Sequence, residues 1–223
     1  MALVHVVGAG LAGLAAAVRL CERGAPVALY EAAPQAGGRC RSYHDRNLDR
    51  VVDNGNHLLL SGNRSALAYL AAIGAGDRLV GPPDASFPFL DLGSGERWVV
   101  RPNRGRLPFW LALPSRRVAG THLRDYLGAW RLARAGPDQT VADCLERAGP
   151  LWRRFWQPLA RAMLNTPPEL ASAQLLRAAL VESFARGGRA CRPLIARHSL
   201  AESLIDPAVR RLRERGVAIA FGH

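Results

Sequence analysis

The residues best suited to chemistry lie in a glycine-rich turn near the start of the chain and at an acidic position further along. Gly8, Gly10 and Gly13 are spaced as G-x-G-x-x-G. In such a turn the first glycine permits tight bending, the second lets the backbone approach a pyrophosphate, and the third allows close helix packing. Glu31 stands where a carboxylate accepts hydrogen bonds from a ribose 2′-hydroxyl. The pattern predicts a dinucleotide site; the alternative is a strand–helix–strand unit without a ligand.

The elements around this turn must position it, and the sequence supplies them. Apolar residues 3–7 predict a strand, an Ala-rich stretch after Gly10 predicts a helix, and residues 27–31 predict a second strand. Leu11 and Ala12 then carry free N–H groups at the helix start, where the helix dipole favours phosphate. The predicted cofactor contacts of this unit are Gly8, Gly10, Leu11, Ala12, Gly13 and Glu31.

A second glycine turn follows the second predicted strand. Gly37 and Gly38 let the backbone run close to a ligand, and Arg39 could neutralise a phosphate or hydrogen-bond the polar edge of a ring. An NAD-binding domain would normally continue here into another helical crossover. The alternative interpretation is a surface turn with solvated arginines.

With this second turn the chain resembles the FAD-dependent amine oxidase and phytoene desaturase superfamily, whose N-terminal signature joins the dinucleotide motif to G-G-R and then Ser. The likeness continues through Asp53-Asn54-Gly55-Asn56-His57. Residues 156–159, 164–168 and 194–200 are similar to the squalene-associated FAD-dependent desaturases, the hydroxysqualene dehydroxylases of bacterial hopanoid pathways. Together these segments span almost the whole chain.

The resemblance implies an α/β fold: a Rossmann-like FAD-binding domain of the GR2 type with an inserted α+β substrate domain. We expect residues 1–78 to form the first part of the FAD-binding domain and residues 79–199 to form part of the substrate domain. Residues 200–223, with a predicted helix and a final strand, would return to the FAD-binding domain. The resemblance also implies a chain truncated to the N-terminal half and incomplete at the C-terminus.

The activity implied by the resemblance is that of an FAD-dependent oxidoreductase acting on a lipophilic polyisoprenoid. The leading reaction is the reductive dehydroxylation of hydroxysqualene to squalene, and the enzymatic alternatives are a carotenoid desaturase and a flavin amine oxidase. A further alternative is an FAD-binding fragment that is inactive alone or needs a separate C-terminal half.

Departure of a hydroxyl group needs a proton, so the resemblance directs attention to acids near the flavin. His57 and Asp53 are the candidate catalytic residues, with His57 at the flavin edge as the leading hypothesis and a structural histidine in a turn as its alternative. Gly37, Gly38, Arg39 and Asn56 complete the predicted cofactor contacts.

Composition bounds the partners. The formal net charge is +12, and all 30 basic residues are arginine and are spread along the chain. This distribution indicates a compositional bias more than a nucleic-acid surface, so we predict no nucleic-acid partner. The widely spaced Cys21, Cys40, Cys144 and Cys191 form no C-x-x-C pair, which predicts reduced thiols and no metal site.

The hydropathy pattern predicts a cytoplasmic protein, because no uninterrupted apolar run reaches the length of a spanning helix and no signal-peptide pattern is visible. Residues 107–113, Arg116, Arg117 and Trp130 place aromatic groups beside arginines, a combination that suits a lipid headgroup interface. Peripheral contact with the inner face of the membrane is therefore one interpretation. The other is an aromatic core with solvated arginines.

Overall fold

The computed structural model describes residues 1–55 and 58–223. The chain divides into two compact units. The first unit contains residues 1–59, 64–81 and 194–223, and the second contains residues 60–63 and 82–193. The first unit is therefore built from separate segments, with the second unit inserted between them in sequence.

A parallel sheet forms the centre of the first unit. It has the order β1 (Val4–Val7), β2 (Val27–Glu31) and β10 (Ala218–Phe221), with Val4 opposite Val27 and Ala218 opposite Ala28. Helix α1 (Leu11–Glu22) connects β1 to β2. This arrangement is the strand–helix–strand unit that the sequence predicts, and β10 is the predicted return of the chain to it.

The core of the first unit forms where helices cover the sheet. Helix α1 contacts α8 (Asp206–Glu214), which follows a π-helical turn at Ala201–Ile205. Helix α2 (Arg64–Ala72) adds Tyr69 and Leu70 to the same core. Fully or almost fully buried side chains of this core are Leu14, Val18, Leu29, Leu70, Ile205 and Leu212. Their burial is the main source of the unit's stability.

A hairpin and a second small sheet accompany the parallel sheet. The hairpin β3 (Ser42–Asp45) and β4 (Arg50–Asp53) follows a 3-10 turn at Gly38–Cys40. Strands β5 (Leu59–Leu60), β9 (Pro193–Ala196) and β6 (Leu79–Val80) form a three-stranded sheet in that order, in which β6 and β9 pair antiparallel. Because of the pairing of β6 with β9, residues 79–81 and 194–199 belong to the first unit, whereas the sequence assigned them to the inserted domain.

The second unit is α+β. Strands β7 (Phe87–Leu90) and β8 (Arg97–Val100) form an antiparallel hairpin whose turn is held by Asp91, which accepts hydrogen bonds from the N–H groups of Gly93 and Ser94. The helices are α3 (Ala129–Ala133), α4 (Val141–Cys144), α5 (Gly149–Leu151), α6 (Gln157–Leu164) and α7 (Ala173–Glu182). Their core contains Trp110, Trp152, Phe155, Trp156 and Leu176.

Candidate cofactor site

The two glycine turns predicted to bind a cofactor lie side by side at the carboxyl end of the parallel sheet. The Gly37 N–H group donates to the Ala9 carbonyl oxygen at 2.8 Å, and Gly10 and Gly37 form a parallel bridge. A Cβ atom added to Gly38 would lie 3.5 Å from the Gly10 Cα. The turns therefore form one continuous backbone surface without side chains.

Backbone conformation explains why glycine occupies these positions. Gly8 has φ +95°, Gly37 has φ +117° and Gly38 has φ +53°, values in the region that residues with a Cβ rarely adopt. Gly13 meets a different requirement, because a Cβ there would lie 1.8 Å from the Gly8 carbonyl oxygen. Helix α1 thus approaches the end of β1 as closely as the sequence motif predicts.

The N-terminus of α1 is open to an anion. Leu11 begins the helix, Gly10 at the N-cap provides no side-chain hydrogen bond, and the first turn contains no acidic residue. The first N–H groups of a helix have no partner within it, and they carry the positive end of the helix dipole. Leu11, Ala12 and Gly13 therefore present donors where the sequence predicts a phosphate.

Glu31 lies at the end of β2, next to the first turn. Its Oε2 accepts a hydrogen bond from the Ala9 N–H group at 2.6 Å, and its Oε1 accepts one from the Ala33 N–H group at 2.9 Å. The bond from Ala33, followed by the bond from Ala9, lowers the pKa of Glu31 below its ordinary value. The carboxylate is thus ionised at neutral pH and keeps lone pairs for a further donor.

Arg39 lies on the 3-10 turn at Gly38–Cys40 and is exposed. Among the described residues its guanidinium makes no ion pair within 4 Å, whereas its carbonyl oxygen accepts a hydrogen bond from Asn54 Nδ2 at 3.3 Å. The backbone is held and the charge is available to a ligand. This arrangement suits the predicted role in neutralising a phosphate.

Asp53, one of the two predicted catalytic residues, is engaged by the protein itself. Its Oδ1 accepts hydrogen bonds from the Ser42 hydroxyl at 2.6 Å and from the Leu200 N–H group at 2.9 Å. Its assignment as a catalytic residue stays a prediction. The other predicted catalytic residue, His57, and the predicted contact Asn56 lie outside the described residues.

Sequence reasoning assigned no role to Ser42 or to Asn54, although both lie beside the second turn. Ser42 is the third residue after the G-G-R motif, and Asn54 follows Asp53. Asn54 holds that turn twice, through its N–H group to the Arg41 carbonyl oxygen and through Nδ2 to the Arg39 carbonyl oxygen. The signal that could have found them was present, since both residues belong to the quoted motifs.

Residues 107–113, for which the sequence suggested membrane contact, include both buried and exposed side chains. Trp110 is buried and lies edge-on to Tyr126, with ring centroids 6.1 Å apart. Leu107 and Phe109 are 65% and 66% exposed. The core interpretation therefore holds for Trp110, while its neighbours in the sequence remain at the surface.

A cleft of about 930 Å³ lies in the second unit. Leu127 and Trp130 line it together with Arg124 and Arg131. Trp130 is 54% exposed, and the guanidinium carbon of Arg134 lies 3.7 Å from the centroid of its ring. The cleft thus combines apolar and cationic groups. The cation–π contact with Arg134 holds the indole of Trp130 in place.

Burial raises the pKa of each cysteine thiol in the described chain. Burial raises the pKa of the Cys191 thiol to about 12 and also raises the pKa of Cys144. Within residues 1–55 and 58–223 no group of three or more His, Cys, Asp or Glu side chains has an arrangement suited to a metal ion. No described helix is long and apolar enough to cross a membrane.

The sequence of this chain is similar to that of a known protein family. The flavin containing amine oxidoreductase family matches residues 11–223. The chain belongs to this family. Membership implies a flavin cofactor, and the side-chain-free turns, the open N-terminus of α1 and the ionised Glu31 fit such a group.

The chain is also similar to curated proteins. The chain is 48% identical over 220 residues to the hydroxysqualene dehydroxylase of Rhodopseudomonas palustris, covering 99% of this chain and 53% of that protein. It is 46% identical to the hydroxysqualene dehydroxylase of Sinorhizobium fredii, with the same coverage, and 29% identical to a probable zeta-carotene desaturase of Synechococcus elongatus. The chain spans about half the length of the curated relatives it matches.

Solved structures support the fold. An oxidoreductase from Methanosarcina mazei gives a TM-score of 0.69 at 16% identity, covering 99% of this chain and 51% of that one. Putrescine oxidase bound to putrescine gives a TM-score of 0.61 at 17% identity, with the same coverage. The predicted α/β fold with a Rossmann-like domain is confirmed.

Proposed function

We propose that this chain forms the cofactor-binding part of an FAD-dependent oxidoreductase that converts hydroxysqualene to squalene by reductive dehydroxylation. The observation that carries the proposal is the 48% identity to a hydroxysqualene dehydroxylase across 99% of the chain. The turns and the carboxylate described above support FAD as the particular flavin, because the pyrophosphate and the ribose of the adenosine half distinguish FAD from FMN.

Different residues of the first unit would bind different parts of FAD. The N–H groups at the start of α1 and the backbone at Gly8 and Gly10 would bind the pyrophosphate. Glu31 would accept hydrogen bonds from the ribose, and Arg39 would neutralise negative charge. Gly37 and Gly38 would let the backbone run close to the cofactor, and Asn56 is a further proposed contact.

The chemistry requires a hydride and a proton. Bound FAD in its reduced form supplies the hydride. We assign the proton to His57, because imidazole has an ordinary pKa near 6.5 and can protonate a leaving hydroxyl at neutral pH. Replacement of His57 by Ala should abolish turnover and leave FAD affinity unchanged, and unchanged turnover would contradict the assignment.

FAD binding is tested by titration of the purified chain with the cofactor, followed by flavin fluorescence. Arg39→Ala should weaken binding about ten- to a hundredfold, the effect of losing a charge-assisted hydrogen bond. Arg41→Ala is the matched control, because Arg41 is also exposed and lies two residues away. Equal affinities in the two variants would refute the proposed contact.

The reaction is tested by product analysis with hydroxysqualene and reduced FAD. The full-length Rhodopseudomonas palustris enzyme serves as the positive control, and the 223-residue chain is assayed alone and with the C-terminal half of that enzyme. A separate C-terminal half is itself a proposal, supported by activity that appears only in the mixture. Desaturation of a carotenoid without squalene formation would favour the alternative of a desaturase.

Peripheral membrane contact is proposed as the route by which a lipophilic substrate reaches the protein. The supporting observation is the exposure of Leu107, Phe109, Leu127 and Trp130 in the second unit, whose sequence places arginines beside them. Binding to phosphatidylglycerol vesicles should fall at least about tenfold in Phe109→Ser/Trp130→Ser, because burial of aromatic surface is lost. Leu92→Ser is the control, since Leu92 is an 88% exposed apolar residue on a hairpin turn. Equal vesicle binding of both variants would contradict the proposal.

A further inference from the structure

The helix that begins at Leu200 has its first N–H groups hydrogen-bonded to side chains. Asp53 Oδ1 accepts from the Leu200 N–H group at 2.9 Å, Ser42 Oγ accepts from the Ala201 N–H group at 2.9 Å, and Ser199 Oγ accepts from the Glu202 N–H group at 3.2 Å. Ser199 is the local N-cap that the sequence itself supplies. The other two caps come from residues about 150 positions earlier, so they join distant segments of the first unit.

The two distant caps are themselves joined. Ser42 and Asp53 lie opposite each other at one end of the β3–β4 hairpin, and the Ser42 hydroxyl donates to Asp53 Oδ1 at 2.6 Å. The hydroxyl therefore donates to one oxygen and accepts from one N–H group, which uses it as both donor and acceptor. The hairpin end is fixed to the helix by a closed set of hydrogen bonds.

The same hairpin end holds the second glycine turn. Asn54, next after Asp53, donates from its N–H group to the Arg41 carbonyl oxygen at 3.0 Å and from Nδ2 to the Arg39 carbonyl oxygen at 3.3 Å. The second glycine turn is in turn bonded to the first, because the Gly37 N–H group donates to the Ala9 carbonyl oxygen. A continuous series of hydrogen bonds and short chain segments thus runs from the start of the helix to the predicted phosphate site.

We infer that Ser42 and Asp53 are positioning residues: they anchor the second glycine turn against the first by fixing the hairpin to the start of the helix at Leu200. The inference rests on the proposed FAD site for its functional consequence. It assigns Asp53 the role of a hydrogen-bond acceptor, in place of the role of a proton donor to the substrate. Ser42 and Asp53 would affect cofactor binding through the position of the second glycine turn, so neither side chain need touch the cofactor.

The discriminating pair of variants is Asp53→Asn and Asp53→Ala. Asparagine keeps an Oδ1 that can accept both hydrogen bonds but has no carboxyl proton, whereas alanine removes the acceptor. Asp45→Ala is the matched control, since Asp45 lies at the other end of the same hairpin and accepts hydrogen bonds from the nearby N–H groups of Asn47 and Leu48.

Amide hydrogen exchange of the full chain without cofactor tests the inference directly. In Asp53→Ala, protection of the Leu200 and Gly37 amides should fall about tenfold, the effect of losing a charge-assisted hydrogen bond at the helix start. Asp53→Asn keeps the acceptor but loses the negative charge, so protection at both amides should fall less than in Asp53→Ala, by about two- to fivefold. Unchanged protection at Gly37 in Asp53→Ala would overturn the inference.

FAD titration and turnover supply the functional measurement. Asp53→Ala should lose FAD affinity about tenfold, Asp53→Asn should lose less because it keeps the acceptor, and Ser42→Ala should also show a smaller loss in the same direction. Loss of turnover in Asp53→Asn with normal FAD affinity would overturn the inference in favour of a catalytic carboxyl group. If the wild-type chain bound no FAD, the proposed function would fail, while the exchange data would still decide whether Asp53 anchors the turn.

Discussion

Substitution of Gly10 by Ala separates folding from cofactor binding. Gly10 has φ −74° and ψ 179°, which alanine adopts without strain, and an added Cβ meets no atom within 4 Å. We therefore expect the free energy of unfolding to change by less than about 0.5 kcal/mol. The methyl group would nevertheless occupy the open space at the start of α1, where the proposed pyrophosphate lies. The expected loss of FAD affinity is about ten- to a hundredfold, or about 1.5–3 kcal/mol.

Gly13→Ala in the same motif should destabilise the fold. Its Cβ would lie 1.8 Å from the backbone oxygen of Gly8, so α1 or the turn must shift before the chain can fold. Forced overpacking of this kind costs about 1–3 kcal/mol. Gly13→Ala should therefore lower the free energy of unfolding, whereas Gly10→Ala should not.

Two measurements on each variant decide the matter: urea denaturation followed by circular dichroism, and FAD titration followed by flavin fluorescence. Wild-type FAD affinity in Gly10→Ala would show that no phosphate lies against this glycine. A large fall in stability in Gly10→Ala would refute the reasoning from open space around its Cβ. Stability of Gly13→Ala equal to that of the wild type would contradict the close approach of α1 to Gly8.

Three further predictions concern other parts of the structure. Hydrogen bonds lower the folded-state pKa of Glu31, so its contribution to stability is present above the ordinary pKa of 4.5 and is lost as pH falls through the lower folded pKa. Glu31→Gln should therefore flatten the dependence of the free energy of unfolding on pH in that acidic range. Urea denaturation at a series of pH values measures this dependence. Tyr69→Phe should destabilise the fold by about 1 kcal/mol, because the buried hydroxyl donates to the Leu204 carbonyl oxygen at 2.7 Å. Thiol labelling of the native chain should modify half-buried Cys21 before Cys191, which is fully buried and has a pKa of about 12; labelling in the reverse order, read by mass spectrometry, would contradict this.

Local patterns were enough to predict the cofactor side of the first unit. The spacing of Gly8, Gly10 and Gly13 requires a turn with positive φ followed by a closely packed helix, and the structure has both. The strand β10 was also predicted, since a helix that ends at a glycine and is followed by an apolar run favours a strand, and the family resemblance implied its return to this unit. The turn and the helix depend on contacts between residues near each other in sequence or on a motif of fixed spacing, whereas the pairing of β10 with β2 joins distant segments.

Long-range pairing limited the rest. Residues 79–81 and 194–199 join the first unit because β6 and β9 pair across more than a hundred residues, and no local pattern encodes such a pairing. Asp53 was assigned to chemistry because a carboxylate beside a flavin motif suggests an acid. Its partners, Ser42 and the Leu200 N–H group, become neighbours only through the fold.

The starts of two helices in the first unit show how side-chain capping selects the place for an anion. At α1 the N-cap is Gly10, which has no side chain to cap the helix, and the space where its Cβ would lie is open. At the helix beginning at Leu200, Asp53, Ser42 and Ser199 accept from three successive N–H groups, and the carboxylate places negative charge at the positive end of the dipole. An anion would be repelled from the second helix start and attracted to the first. The same side chains that close one helix start hold the turn beside the other, so in the proposed FAD site Asp53 would contribute to phosphate binding without touching the phosphate.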